Sequence, residues 1–340
     1  MKHSNISIFI PHIGCLHKCS FCDQRTISGV QHAPSGREVS EICSRALSEA
    51  RSPENSEIAF FGGSFTAIPR DYMVELLQAA QPFIGEGKFR GIRISTRPDC
   101  IDSEILALLR SYGVTSIELG AQSMSDHVLK ANERGHSAED VEKASELIRE
   151  YGFELGLQMM MGLYGSTLDD DIETALRIID IHPDTVRIYP VVILKGTKLA
   201  DLYESGVYKP CSFNDLVEAV SVMLIWFKNS NIRVIKCGLH ASEFVEKDMI
   251  GGFYHPAFRD VCESEIYKFE MKKTIGTIEG ILCSVSHDPK KHFEFAVAKN
   301  CISKALGHKK SNVEYFRQGG IEISIIGDDE IPEYEVQLRR

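Results

Sequence analysis

Through the first 200 residues, short β-branched and aromatic runs alternate with amphipathic stretches of helical period, and that alternation leaves few folds open. Runs over 6–10 (ISIFI), 57–61 (EIAFF), 91–95 (GIRIS), 116–120 (SIELG), 154–160 (ELGLQMM) and 185–189 (TVRIY) read as strands. The helices between them carry terminal signals. Asp102 is an N-cap before EILALLRSY, with Gly113 as the stop. Ser137 with Asp140 forms a capping pair, and that helix ends at Gly152. Leu168–Ile181 begins with three aspartates, which suit the positive end of the helix dipole. Strands alternating with helices pair in parallel through right-handed crossovers. About six such units are too few for a closed eight-stranded barrel. A partial barrel or an open α/β sheet is expected, with ligands gathered at the carboxyl ends of the strands.

After this body, the helix Phe213–Asn229, the strand Arg233–Cys237 and the segment to about 273 read as a further layer closing the sheet. From Gly276 the pattern changes to two alternating apolar runs (TIEGILCSV, HFEFAV), a helix and a last strand (GIEISII). The expected domains are therefore 1–273, a core with its closing layer, and 274–340, a small α+β subdomain. No apolar run approaches the roughly 18 residues a membrane span needs, and no signal-peptide pattern opens the chain, so a cytoplasmic protein without a membrane partner is expected.

The chemistry starts in the loop after the first strand. Cys15-Leu16-His17-Lys18-Cys19-Ser20-Phe21-Cys22 spaces three cysteines C-x3-C-x2-C. Three thiolates on one loop can hold three irons of a cubane cluster and leave the fourth iron open for chemistry. Structural zinc is the other reading of clustered cysteines; it needs a fourth ligand, from His12, His17 or a distant cysteine. The seven other cysteines are scattered and read as inert, buried small hydrophobes.

Further strand ends carry unusual residues. Phe61-Gly62-Gly63-Ser64-Phe65-Thr66 lets backbone approach a ligand closely, although a glycine pair is also an ordinary turn. Ser95-Thr96-Arg97-Pro98-Asp99, Gly120-Ala121-Gln122-Ser123 and Gly162-Leu163-Tyr164-Gly165 follow the next three strands. Each alone is a plausible loop. Together they mark one functional edge.

On these residues the chain resembles the radical S-adenosylmethionine (SAM) superfamily. The cysteine loop matches, with Phe21 before the last cysteine, and the glycine motif is similar at Gly62-Gly63-Ser64-Phe65. The resemblance covers about the first 270 residues. It implies a partial (β/α)6 TIM-like barrel, a [4Fe–4S] cluster on Cys15, Cys19 and Cys22, and SAM chelating the open iron. It also implies an electron donor of flavodoxin or ferredoxin type. Ile117-Glu118-Leu119-Gly120-Ala121-Gln122-Ser123, followed by Arg134-Gly135-His136, looks like a segment shared by oxygen-independent coproporphyrinogen oxidases and the catalytic subunit of Elongator. That likeness implies SAM contacts at Gln122, Arg134 and Gln158, beside Gly62, Gly63, Ser64 and Ser95. The stretch from Arg187 to Thr197 (RIYPVVILKGT), with Tyr208-Lys209-Pro210 after it, is similar to the Elongator subunit specifically. No stretch here reads as that subunit's acetyl-CoA loop, so carboxymethylation of uridine by the same route is not expected.

Tyr189 and Lys195 are the candidate catalytic residues on the substrate side, with Lys236, His240, Tyr254 and His255 as further candidates. The glycine-rich segment 251–256 (GGFYHP) reads equally as a surface turn. In the tail, strand, helix, Gly307-His308-Lys309-Lys310, helix and strand follow in an order similar to a minimal KH module, which grips single-stranded RNA with a GXXG loop. Lys310 stands where the second glycine belongs, and a βααβ cap is the plainer reading. His308, Lys309 and Lys310 are the candidate RNA-binding residues. The net charge of −10 opposes a broadly basic nucleic-acid surface. Two functions follow: a radical SAM enzyme acting on RNA, with a tRNA base as substrate, or one acting on a small molecule or peptide. A non-catalytic iron–sulfur or zinc scaffold is the third reading.

Overall fold

The computed structural model describes residues 4–11, 13–15, 19–30, 32–239, 242–282 and 291–339. They fall into two compact units, one built from 1–210 with 230–254, the other from 211–229 with 255–340.

The first unit carries, in chain order, β1 (Ser4–Ile10), β2 (Ser56–Gly62), β3 (Gly91–Thr96), β4 (Val114–Gln122), β5 (Glu154–Met161), β6 (Thr185–Pro190), β7 (Val192–Leu194), β8 (Arg233–Cys237) and β9 (Met249–Gly252). Seven of them form one parallel sheet, ordered β1-β2-β3-β4-β5-β6-β8 and curled into a half-barrel. All six strands expected in the body are present. Arg233–Cys237 is not part of a separate closing layer. It pairs with β6, placing Lys236 opposite Arg187, and so becomes the seventh parallel strand. β7 leaves the sheet and pairs antiparallel with β9.

The convex face of the sheet is apolar. Ile58, Phe60, Ile92, Ile94, Ile117 and Leu155 are fully buried there. The crossover helices cover that face with their own apolar stripes, such as Val141, Ala144 and Ile148. Each such side chain contributes about 1.5–3 kcal/mol by leaving water. The helices begin where the sequence signals place them. Ser137 with Asp140 and Thr167 with Asp170 close complete capping boxes, and Asp102 accepts from the Ile105 amide at 2.8 Å. His182 ends Leu168–Ile181 in the left-handed region at φ 57°.

The second unit carries β10 (Lys291–Val297), β11 (Ile321–Gly327) and β12 (Gln337–Leu338), in the order β11-β10-β12. β10 and β11 are parallel, joined through the short helices Ile302–Leu306 and Ser311–Gln318. This is the βααβ order read from the sequence. The helices Phe213–Asn229 and Phe258–Leu282 cluster with this unit; Ser221 Oγ donates to the Cys262 carbonyl at 2.9 Å between them. The run TIEGIL is not a strand. Tyr267, Met271 and Ile275 recur every four residues on the buried side of Phe258–Leu282, and the helix carries on through Leu282. The remainder of that run lies outside the described residues.

Candidate active site

Inside the half-barrel the strands turn a polar face inward, and this face is the floor of the site. Arg93, 1% exposed, sits on β3 and donates to Glu57 of β2 at 2.8 Å, Glu118 of β4 at 3.1 Å and Glu154 of β5 at 2.9 Å. Glu118 also receives Gln158 Nε2 at 2.8 Å and Arg187 Nη2 at 2.9 Å, and Arg187 Nε lies 2.7 Å from it as an ion pair. Above this network opens a cavity of about 530 Å³, a size ordinary for a cofactor with part of a substrate.

The cysteine loop borders that cavity. Cys15, Cys19 and Cys22 all line it. Fully buried Ser20 pins the loop: its amide and hydroxyl donate to the Asn132 backbone and side-chain oxygens at 3.2 and 2.7 Å, and its carbonyl accepts from Leu199 at 2.8 Å. The Cys22 amide donates to the Cys19 carbonyl, and Gln24 Nε2 points at Cys22 Sγ from 3.3 Å. Desolvation in the cavity wall pushes the Cys22 thiol up to about 12, with Cys19 adding to it.

The glycine loop after β2 presses backbone on backbone. The Gly63 amide donates to the Ile10 carbonyl at 2.8 Å, and a Cβ at Gly63 would overlap the Ile13 carbonyl oxygen. Gly62 sits at φ 114°, where a side chain is strained. Ser64 lines the cavity and is tied to Thr96 Oγ1 at 2.8 Å. Ser95, Gln122, Arg134 and Gln158 line the same space. Gln122 lies in the left-handed region at φ 66°, where the β4–β5 register shifts, so a bulge re-aims its side chain. Arg134 bridges loop and sheet, donating to the Gly120 carbonyl at 2.7 Å and to Cys19 Sγ at 3.0 Å. Its Nε is buried without a partner among the described residues.

These donors fit a [4Fe–4S] cluster with SAM. Three thiols come from one loop, a side-chain-free cradle lies beside them, and an arginine holds an unsatisfied donor in the same wall. Among the described residues no three His, Cys, Asp or Glu side chains gather around one ion-sized point. A cubane, which gives each thiolate its own iron, does not require that. His12 and His17 lie outside the described residues.

Of the substrate-side candidates, Tyr189 and Lys236 line the cavity. Burial raises the Tyr189 phenol above its ordinary value, against the neighbouring Arg187. Lys195 does not line the cavity: it follows β7, and its ammonium donates to the Lys247 carbonyl at 3.3 Å on an exposed turn. Tyr254 is likewise occupied, accepting from the Ser242 amide and donating to Glu246. His255 belongs to the second unit, with its ring 5.1 Å from that of His308. His240 lies outside the described residues. His308, Lys309 and Lys310 form a tight turn between the two short helices of the second unit. Sequence reasoning looked at strand ends and missed Arg93, Glu118 and Arg187. Their signal was a single charged residue inside each of three otherwise uncharged strands.

A parallel half-barrel with a cavity at its carboxyl edge, bordered by a three-cysteine loop, defines an α/β-barrel enzyme of the cofactor-dependent kind. Residues 9–178 match the family model described as Radical SAM superfamily, and residues 183–268 match the Radical_SAM C-terminal domain; the chain belongs to the radical SAM superfamily. It is 32% identical over 202 residues to the tRNA uridine(34) acetyltransferase of Methanocaldococcus infernus, covering 52% of this chain and 38% of that protein. It is 33% identical over 193 residues to human Elongator complex protein 3, covering 51% of this chain and 35% of the relative. The chain thus spans little more than a third of the length of these relatives. In fold it is similar to the archaeal Elp3 of M. infernus, with a TM-score of 0.60 at 20% identity over 80% of this chain and 63% of that one. No described helix is long and apolar enough to cross a membrane.

Proposed function

We propose that this radical SAM enzyme modifies a tRNA base by abstracting hydrogen from it. The observation that carries the reading is the opening of Cys15, Cys19, Cys22, Gln122, Arg134 and Gln158 on one cavity. The tRNA substrate is supported by the names of the relatives, and the tail would add a grip on RNA through His308, Lys309 and Lys310.

When bound, the reduced cluster and SAM supply a 5′-deoxyadenosyl radical, chemistry that belongs to the cofactors. The three cysteines would hold the cluster, and Gly62 and Gly63 would let backbone reach SAM. Ser64, Ser95, Gln122, Arg134 and Gln158 would orient SAM, with Arg134 offering its positive charge beside Cys19. Tyr189 would meet the substrate on the opposite wall. The apolar rim of Ile27, Val192, Leu194 and Leu239 would keep water from the radical. A flavodoxin- or ferredoxin-type partner would deliver the electron.

The net charge of −10 favours a second reading, a small molecule or peptide substrate. Two measurements decide. Anaerobically reconstituted protein with dithionite and SAM is expected to release 5′-deoxyadenosine; protein that holds only zinc and releases none overturns the enzyme reading. Nucleoside mass spectrometry of tRNA from a deletion strain is expected to lose a modified base; an unaltered profile gives the substrate to the second reading.

A further inference from the structure

One rung of the half-barrel floor carries donors that its neighbours do not use up. Gln158, Arg187 and Lys236 stand opposite one another on β5, β6 and β8, and all three line the cavity. Two residues along β6, on the same face, Tyr189 lines it too. Arg187 pairs with Glu118: Nη2 donates at 2.9 Å, while Nε lies 2.7 Å from the carboxylate as an ion pair without a hydrogen bond. Its Nη1 points along the wall, 3.5 Å from the Tyr189 hydroxyl. Because that hydroxyl accepts from Arg187, its proton is available to a third group. Lys236 is half-buried and has no carboxylate partner among the described residues; its charged neighbour is Arg187, a like charge. Glu118 is already shared with Arg93, so Arg187 Nη1 and the Lys236 ammonium keep donor capacity toward the cavity.

A different cation would serve the carboxylate of SAM: Arg134 stands beside Cys19 and bonds the Gly120 carbonyl of the central strand β4. β6 and β8, at the end of the sheet order, line another part of the cavity.

We propose that Arg187 Nη1, the Tyr189 hydroxyl and Lys236 Nζ form a subsite for an oxyanion carried by the substrate, a phosphate or a carboxylate. This rests on the reading of the cavity as the substrate site and narrows it: the substrate is anionic close to the reacting atom. Three convergent donors, two of them charged, suit one tetrahedral or planar oxyanion head group. Burial beside Arg187 holds the Lys236 ammonium below the ordinary lysine value, consistent with a charge awaiting a counterion. In a nucleic-acid substrate the anion is the phosphate of the nucleotide turned into the cavity. In a small acid it is the carboxylate.

The test is calorimetric, on anaerobically reconstituted protein with SAM present and constant ionic strength. The probes are uridine, uridine 5′-monophosphate, inorganic phosphate and malonate. Uridine 5′-monophosphate is expected to bind about tenfold tighter than uridine, the size of one charge-assisted contact. Lys236→Met is expected to erase that difference and Lys236→Arg to keep it, with SAM affinity reporting that the variants fold. Should Lys236→Met fail to fold, competition of inorganic phosphate against uridine 5′-monophosphate in the unaltered protein supplies the same answer. Lys236-dependent binding of malonate and not of phosphates assigns the site to a carboxylic acid. If no anion distinguishes the unaltered protein from Lys236→Met, and phosphate does not compete, the subsite is overturned. An unaltered tRNA profile beside Lys236-dependent anion binding would retire the tRNA reading alone.

Discussion

Asp171 illustrates how a residue's role depends on a few ångströms. The three aspartates opening Leu168–Ile181 read alike in sequence, as partners of the helix dipole. In the structure Asp170 closes the capping box, while Asp171 is 2% exposed and accepts the Gly162 amide at 2.8 Å and the Ser166 hydroxyl at 2.6 Å. Desolvation outweighs those two bonds and pushes its carboxyl up to about 7, from an ordinary 3.8, with Asp170 adding to the shift. A carboxyl raised in the folded state ionises first in the unfolded chain. Its effect is absent below pH 4, grows against folding as pH rises to about 7, and is constant above. Asparagine at this position keeps a carbonyl acceptor and cannot ionise. Thermal unfolding between pH 4 and 8 should therefore show a smaller loss of stability with rising pH in Asp171→Asn than in the unaltered chain. Parallel pH curves for the two proteins would remove Asp171 from the account.

Among the elements, the turn between the two short helices of the second unit is under the most evident strain. Lys309 and Lys310 stand at φ 54° and 64°, in the left-handed region that favours glycine, after Gly307 at φ 86°. Asn312, buried, holds the turn by donating to the Ala305 and Ser264 carbonyls at 3.0 and 2.8 Å. The missing second glycine was visible in the sequence; that two consecutive lysines adopt its conformation was not, because the anchor is Asn312. Lys310→Gly is expected to stabilise the protein by about 1 kcal/mol, relief of left-handed strain set against the added freedom of the unfolded chain. If the loop grips RNA through charge, the same change lowers retention of RNA at low salt. Urea unfolding and filter binding measure the two effects separately; a destabilised Lys310→Gly contradicts the strain argument. The run TIEGIL taught the opposite lesson, since its alternation gave way to a helix already secured by Tyr267, Met271 and Ile275 upstream.

For the molecule as a whole, strand–helix alternation and the cysteine loop were legible because each is local in sequence. The floor of the half-barrel was not. Its bonds join residues 25 to 69 positions apart and exist only once the register of β2 through β6 is set. Arg93 reaches one carboxylate on each of three strands, and Glu118 passes the network to Gln158 and Arg187 in the cavity wall. Removing a fully buried partner of this kind strips three carboxylates of a guanidinium that water does not replace, at a cost of about 3–5 kcal/mol. Arg93→Met should accordingly be strongly destabilised in urea. Because Glu57 accepts Arg93 Nε at 2.8 Å in a site with no exposure, adding Glu57→Gln to Arg93→Met should recover part of the loss. Strict additivity of the two changes would mean that the bonds do not act as a unit. The coupling should also reach the site: Glu118→Gln, which weakens the hold on Arg187 while leaving Gln158 an oxygen acceptor, is expected to lower SAM affinity less than it lowers Lys236-dependent binding of uridine 5′-monophosphate.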